Sequence, residues 1–307
     1  MNKKIFLVAA AVLAFSIMAA CGKAEDKKPA SGNNHASHPA SSGQENAEKL
    51  TGNEKTEVEN MEHGDGHSGH GAEAAPATKD LNVSFAFPAG AAKANENTEF
   101  TIRVTDKNGK PVDKYELNHE KLLHLIIVNH DLSFFNHIHP EFKGDGTFTV
   151  NTSFPAGGDY KLFADFIPTG GANTTLSEWV KVEGKEGKHV AIAVDTKLVK
   201  EVDGKEIELI MSTAKPKEDV TLTFNIRDAK TKKGIDSLQP YLGAVGHVVI
   251  LSEDANQYLH VHPIDEKATG PDAKFATSFS QSGTYKIWGQ FQQGGKVFTV
   301  PFVVNVK

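Results

Sequence analysis

His124-Leu125-Ile126-Ile127-Val128-Asn129-His130-Asp131-Leu132-Ser133-Phe134-Phe135-Asn136-His137-Ile138-His139-Pro140 is the stretch on which the fold and the candidate chemistry both turn. It returns as His247-Val248-Val249-Ile250-Leu251 followed by His260-Val261-His262-Pro263, so each copy reads H-x12-H-x-H-P. Apolar, β-branched runs of this length read as buried strands. The polar breaks Asn129-His130-Asp131 and Ser252-Glu253-Asp254-Ala255-Asn256 mark turns, and each unit is predicted to be a β-hairpin. A turn centred on Asp131-Leu132 sets His124 opposite His139, and the same register sets His247 opposite His262.

Strand side chains alternate faces, so both members of an H-x-H pair point one way and the cross-strand histidine joins them. Three neutral imidazoles on one face form a ligand set for zinc or copper(II). The candidate metal ligands are therefore His124, His137 and His139 in the first copy and His247, His260 and His262 in the second. The competing reading is structural: duplication copies histidines that pack a domain interface as faithfully as it copies ligands. Three such side chains are costly to bury without a compensating partner, which favours the metal.

The repeat runs past the histidines. Phe154-Pro155-Ala156-Gly157-Gly158-Asp159-Tyr160-Lys161-Leu162-Phe163-Ala164-Asp165-Phe166 parallels Phe279-Ser280-Gln281-Ser282-Gly283-Thr284-Tyr285-Lys286-Ile287-Trp288-Gly289-Gln290-Phe291, which indicates tandem duplication of one domain. Short strands are predicted at 83–87, 99–104, 122–128, 134–139, 147–154, 160–166 and 178–182, and again at 207–212, 220–226, 246–251, 258–262, 275–279, 285–291 and 297–306. The expected fold is all-β, with two tandem antiparallel β-sandwiches at 80–187 and 188–307. The Gly-x-Tyr steps at Tyr160 and Tyr285 resemble the tyrosine corner of immunoglobulin-like sandwiches, which implies a buried hydroxyl bonded back to the chain. Asp165 in the first copy stands where Gln290 stands in the second. Its carboxylate is a candidate fourth ligand, or an orienting partner for a histidine. His119 and His130 lack counterparts and are expected to be exposed.

Composition narrows the function. The chain has 307 residues, 39% hydrophobic content and a formal charge of −6, so nothing in it suggests a nucleic-acid surface. One cysteine excludes both an intrachain disulfide and a thiolate cluster, and four methionines argue against a copper(I) thioether site. Histidine, with fourteen copies, is the enriched ligand type.

Residues 1–20 pair a basic start at Lys3-Lys4 with an apolar run from Ile5 to Ala20, the pattern of a secretory signal. Met18-Ala19-Ala20-Cys21-Gly22 resembles the lipobox of bacterial lipoproteins, which implies lipidation of Cys21 and anchoring at the outer face of the cell membrane. Residues 21–79 contain no aromatic side chain and are expected to be a disordered tether. Within it, His63, His67 and His70, preceded by His35 and His38, form a tract able to collect divalent ions.

Tandem H-x12-H-x-H units behind a lipobox resemble, as a class, extracytoplasmic copper- or zinc-handling lipoproteins with immunoglobulin-like or cupredoxin-like domains. That resemblance implies metal capture or transfer without covalent chemistry, with a metal transporter as a candidate partner. An enzyme is not expected, because no acid/base pair or nucleophile motif accompanies the histidines. The main alternative is a surface protein-interaction module whose histidines are structural.

Overall fold

The computed structural model describes residues 80–307, the side chains of His260 and His262 excepted. The expected signal segment, Cys21 and the His-rich tether lie outside the described residues. Regular structure in the described part is β.

The first half runs β1 (Leu81–Ala86), β2 (Asn97–Asp106), β3 (Tyr115–Glu116), β4 (Leu123–Asn129), β5 (Phe135–Ile138), β6 (Glu141–Gly144), β7 (Thr147–Ser153), β8 (Gly158–Pro168) and β9 (Thr174–Val182). The second runs β10 (Val199–Val202), β11 (Lys205–Met211), β12 (Asp219–Asp228), β13 (His247–Ser252), β14 (Tyr258–His260), β15 (His262–Pro263), β16 (Asp272–Ser278), β17 (Gly283–Gln293) and β18 (Lys296–Val306). In the first half, β1-β2-β7-β6 form one sheet, and β3-β8-β4-β5 with β9 beside β8 form the other. The second half repeats this as β10-β11-β12-β16-β15 and β14-β13-β17-β18. The result is two tandem immunoglobulin-like antiparallel sandwiches, as the spacing of the strands implied.

Strands β3, β6 and β10 are too short to announce themselves by alternation and were not expected from the sequence. A further difference concerns 258–262, read as one strand. The chain runs beside β13 as β14 up to His260, crosses at Val261 and pairs with the other sheet, where His262 faces Ala276. The first copy makes the same crossing between Ile138 and Glu141. Proline follows each H-x-H and has no N–H to donate to a ladder; Pro140 lies between β5 and β6, and Pro263 is the last residue of β15.

Each half has its own core. Leu123, Leu125 and Ile127 of β4 point inward with Tyr160, Leu162, Ala164 and Phe166 of β8. Val248 and Ile250 of β13 do the same with Tyr285, Ile287 and Phe291 of β17. The tyrosine expectation holds in detail: Tyr160 Oη donates to Ala156 O and Tyr285 Oη to Gln281 O, each at 2.9 Å.

Gly289 stands where the first copy has Ala164. A Cβ there would approach ring atoms of Phe224 to 2.7 Å and Phe291 to 2.9 Å, and both rings are fully buried. Gly289→Ala should therefore lower the free energy of unfolding by about 1–3 kcal/mol, because a packed core resists an added methyl. Urea denaturation measures it, and an unchanged midpoint would mean that the rings have room to move.

The other faces of β4 and β13 are buried too. Ile126, Val128 and Leu132 pack with Phe163 against Val249, Leu251, Ala255 and Trp288, and this third cluster joins the two sandwiches. Strands covered on both sides explain why the two runs read as continuously apolar. The seam has an internal two-fold logic. Phe135 stacks on Trp288 with ring centres 4.7 Å apart, and Phe163 stacks on Tyr258 at 5.4 Å. Lys161 Nζ donates to Ala255 O and Lys286 Nζ to Leu132 O, each at 2.7 Å. Leu132 and Ala255 are the matching left-handed residues of the two hairpin turns, with φ of 54° and 55°.

Candidate metal centre

Period-two alternation carries His124 to the seam face together with Ile126 and Val128. Strand β5 pairs with β4 in the expected register, Leu125 with Ile138 and Ile126 with His137, which leaves His139 at the next position facing His124. The outcome is convergence: one ligand atom from each of His124, His137 and His139 lies within 4.8 Å of the others. Ring centres are 5.2 Å apart for His124 and His137, and 4.9 Å for each pair that includes His139.

The second sandwich reaches into the same place. His247 opens β13 on its seam face, and its ring centre lies 5.7 Å from that of His124 and 5.9 Å from that of His137. The sequence offered two separate sets; the described side chains form one cluster across the seam. For the second hairpin the backbone register is also described, with Val249 facing His260.

Hydrogen bonds orient the rings. His124 Nε2 lies 2.8 Å from Asn118 O, and a carbonyl only accepts, so Nε2 carries the hydrogen and Nδ1 presents a lone pair. His137 Nδ1 lies 2.6 Å from Gln290 Oε1, while the amide nitrogen of Gln290 turns to Thr299 Oγ1 at 3.3 Å. Nδ1 of His137 is then the donor, and its Nε2 presents a lone pair towards His124 Nδ1, 2.9 Å away. Two facing lone pairs at that distance repel unless a cation lies between them. His139 Nε2 and His247 Nε2 are buried without a hydrogen-bond partner among the described residues.

Burial also keeps the rings neutral. Desolvation, reinforced by His124, lowers the pKa of His137 to about 4. Desolvation with the neighbouring His137 and His124 lowers His139 to about 3. Desolvation with His119, His137 and His124 lowers His247 to about 2. A neutral imidazole is the form that ligates a metal.

Asp165 lies beside His124 in the β4–β8 register and is almost completely buried. Its Oδ2 accepts from Tyr258 Oη at 3.1 Å and its Oδ1 from Thr175 Oγ1 at 3.3 Å. The carboxylate lines the small cavity beside the histidines, but it is not among the side chains that converge within 4.8 Å.

His119 corrects its expectation: it is only half exposed, and its ring packs edge-on against His247 at 4.6 Å. It sits on a tight turn, where His119 and Glu120 both have positive φ. His130 is exposed as expected, near Trp179. Sequence reasoning missed the role of Gln290, noticed only as the counterpart of Asp165, and that of Tyr258. The odd-numbered spacing of Lys161-Phe163-Asp165 and the even-numbered spacing of Lys286-Trp288-Gln290 were the available signal, since steps of two place all six on the seam faces.

No curated protein matches the sequence. Among solved structures, the Escherichia coli adhesin FdeC is 17% identical, with 74% of this chain and 64% of that chain covered and a TM-score of 0.25. The bacterial integrin-binding protein invasin is 13% identical over 73% of this chain and 39% of its own, with a TM-score of 0.23. The D0-D1 domain of intimin is 14% identical over 72% and 97%, with a TM-score of 0.21. The chain thus spans less than two thirds of the length of FdeC and invasin, and likenesses of this size carry nothing about function. The domain described as "Domain of unknown function (DUF8832)" matches residues 77–184 and 200–307, one copy per sandwich, and the chain belongs to that family.

Proposed function

We propose that this protein is an extracytoplasmic metal-binding protein, held at the membrane through lipidated Cys21, that captures copper(II) or zinc at His124, His137 and His139. The observation that carries the reading is the approach of three imidazole nitrogens to within 4.8 Å of one another. Burial that keeps His137 and His139 uncharged at neutral pH supports it, because a protonated ring cannot ligate. Copper(II) fits a set of imidazoles by the Irving–Williams order, and zinc fits equally if the set is tetrahedral. His260, His262 and Asp165 remain candidate contributors from their positions in the hairpin and in β8. Transfer to a transporter, with the tether histidines collecting ions first, is the natural use of such a site.

The test is uptake. The full chain with His35, His38, His63, His67 and His70 changed to alanine should bind zinc and copper(II), and the further change of His124, His137 and His139 to alanine should abolish binding. Calorimetry that detects no uptake of either ion by the parent removes the reading.

A second reading, a cell-surface interaction module with structural histidines, has an observation of its own. Turning over the Gln290 amide would let His137 Nε2–H donate to His124 Nδ1 and close an ordinary hydrogen-bond network across the seam. The adhesins agree with that reading in name alone. It predicts that the triple variant loses stability equally with and without metal.

A further inference from the structure

We propose that His247 supplies a fourth nitrogen to the centre formed by His124, His137 and His139, so that a single divalent ion bridges the two sandwiches and fastens them together. This rests on the metal reading above and goes past it: one composite centre per chain replaces one site per domain.

Distances carry the argument. At a metal–nitrogen distance of about 2.05 Å, imidazoles sharing one ion place their ring centres roughly 4.5 to 6.4 Å apart, depending on the angle between them. The three pairs within the first sandwich, at 4.9, 4.9 and 5.2 Å, fall in that window. His247 meets two of the three in the same window, at 5.7 Å from His124 and 5.9 Å from His137; it lies outside the set already converged within 4.8 Å, so the ion must draw its ring in. His247 is 9% exposed, and its Nε2 is buried without a hydrogen-bond partner among the described residues, a condition that a ligand bond would relieve. A cavity of about 20 Å³, room for one water-sized sphere, opens between His119, His124, His137, Asp165 and His247, with His139 adjoining the rings of His124 and His137 rather than lining it.

The supporting groups cross the seam too. Gln290 is the β17 partner of His247, and its side chain reaches over to hold His137 of the other sandwich at 2.6 Å. It is a positioning residue that sets which nitrogen of His137 points inward. His119, from the first sandwich, packs edge-on at 82° against His247 and fixes the plane of that ring. Neither sandwich could assemble this arrangement alone. Metal occupancy and domain docking are therefore coupled, and by linkage each strengthens the other.

The experiment uses the full chain with His35, His38, His63, His67 and His70 changed to alanine, alone and with His247→Gln. The expected stoichiometry is one zinc per chain, and His247→Gln should weaken zinc binding on the order of 100-fold, the scale on which losing a supporting group acts at metal sites. Copper(II) electron paramagnetic resonance should count four nitrogens in the parent and three in the variant. Because the parent count is independent of how well the variant folds, it stands even if His247→Gln is unstable. Zinc should also slow amide exchange in β4 and β13 together in the parent. Two ions per chain, three nitrogens in the parent, or undiminished affinity of a folded His247→Gln would each overturn the shared centre while leaving metal binding intact. No uptake by the parent would instead remove the metal reading itself.

Discussion

Zinc added at about a thousand times its dissociation constant will stabilise the folded chain by about 4 kcal/mol, because only the native arrangement gathers the ligands. For a β region of this size each kcal/mol moves the melting midpoint by about 2–4 °C, so the expected rise is on the order of 10 °C. The same dose should leave the midpoint of the His124→Ala, His137→Ala, His139→Ala triple variant where it is. Differential scanning calorimetry with and without chelator reads both numbers. The comparison separates ligation from packing: histidines that merely fill the seam would destabilise the variant by equal amounts in both conditions, and the metal-dependent rise would never be seen in the parent.

Acid should have the next largest effect, on the metal-free protein. An unfolded histidine binds its proton near pH 6.5, whereas buried His137 resists protonation until about pH 4, with His139 and His247 lower still. Above 6.5 neither state is protonated, so the depressed values have no effect on stability. As pH falls through 6.5 the unfolded chain takes up protons that the folded chain refuses, and stability declines with falling pH. His137 alone accounts for on the order of 3 kcal/mol by pH 4, since each proton refused costs about 1.4 kcal/mol for every pH step of one. Urea midpoints measured in chelator from pH 7.5 to 4 should fall steadily below pH 6.5. A flat profile would mean that the rings are solvated in solution and that the seam is open. The groups facing these histidines are their own neighbours, with Gln290 and Asp165 favouring the charged form of His137 and His124 and His119 opposing it.

Much of the first hairpin was legible in the sequence. The run Leu125-Ile126-Ile127-Val128, the polar turn and the H-x-H spacing fix strand, turn and register, and register fixes which side chains share a face. The twin tyrosines announced their bonds back to Ala156 and Gln281 in the same way, since that contact spans only four residues. Strand β3, two residues long, left no trace because alternation needs more residues than it has, and the break at Val261 that parts β14 from β15 was equally silent. His119 was misjudged because a lone histidine on a turn gives no sign of the ring that will pack against it from 128 residues further along the chain.

What the sequence determined by itself is the local pattern: period-two strands, a duplicated hairpin, and His124, His137 and His139 brought towards one side. Local geometry governs these, since the pleat alternates side chains whatever lies beyond them. Only the tertiary structure decided that the histidine-bearing faces of the two sandwiches meet, bringing His247 to His124 and giving Gln290 of one sandwich to His137 of the other. That choice depends on which apolar faces cover one another, Phe135 on Trp288 and Phe163 on Tyr258. Hydrophobic burial has no direction along the chain, so no spacing of residues could have written it down.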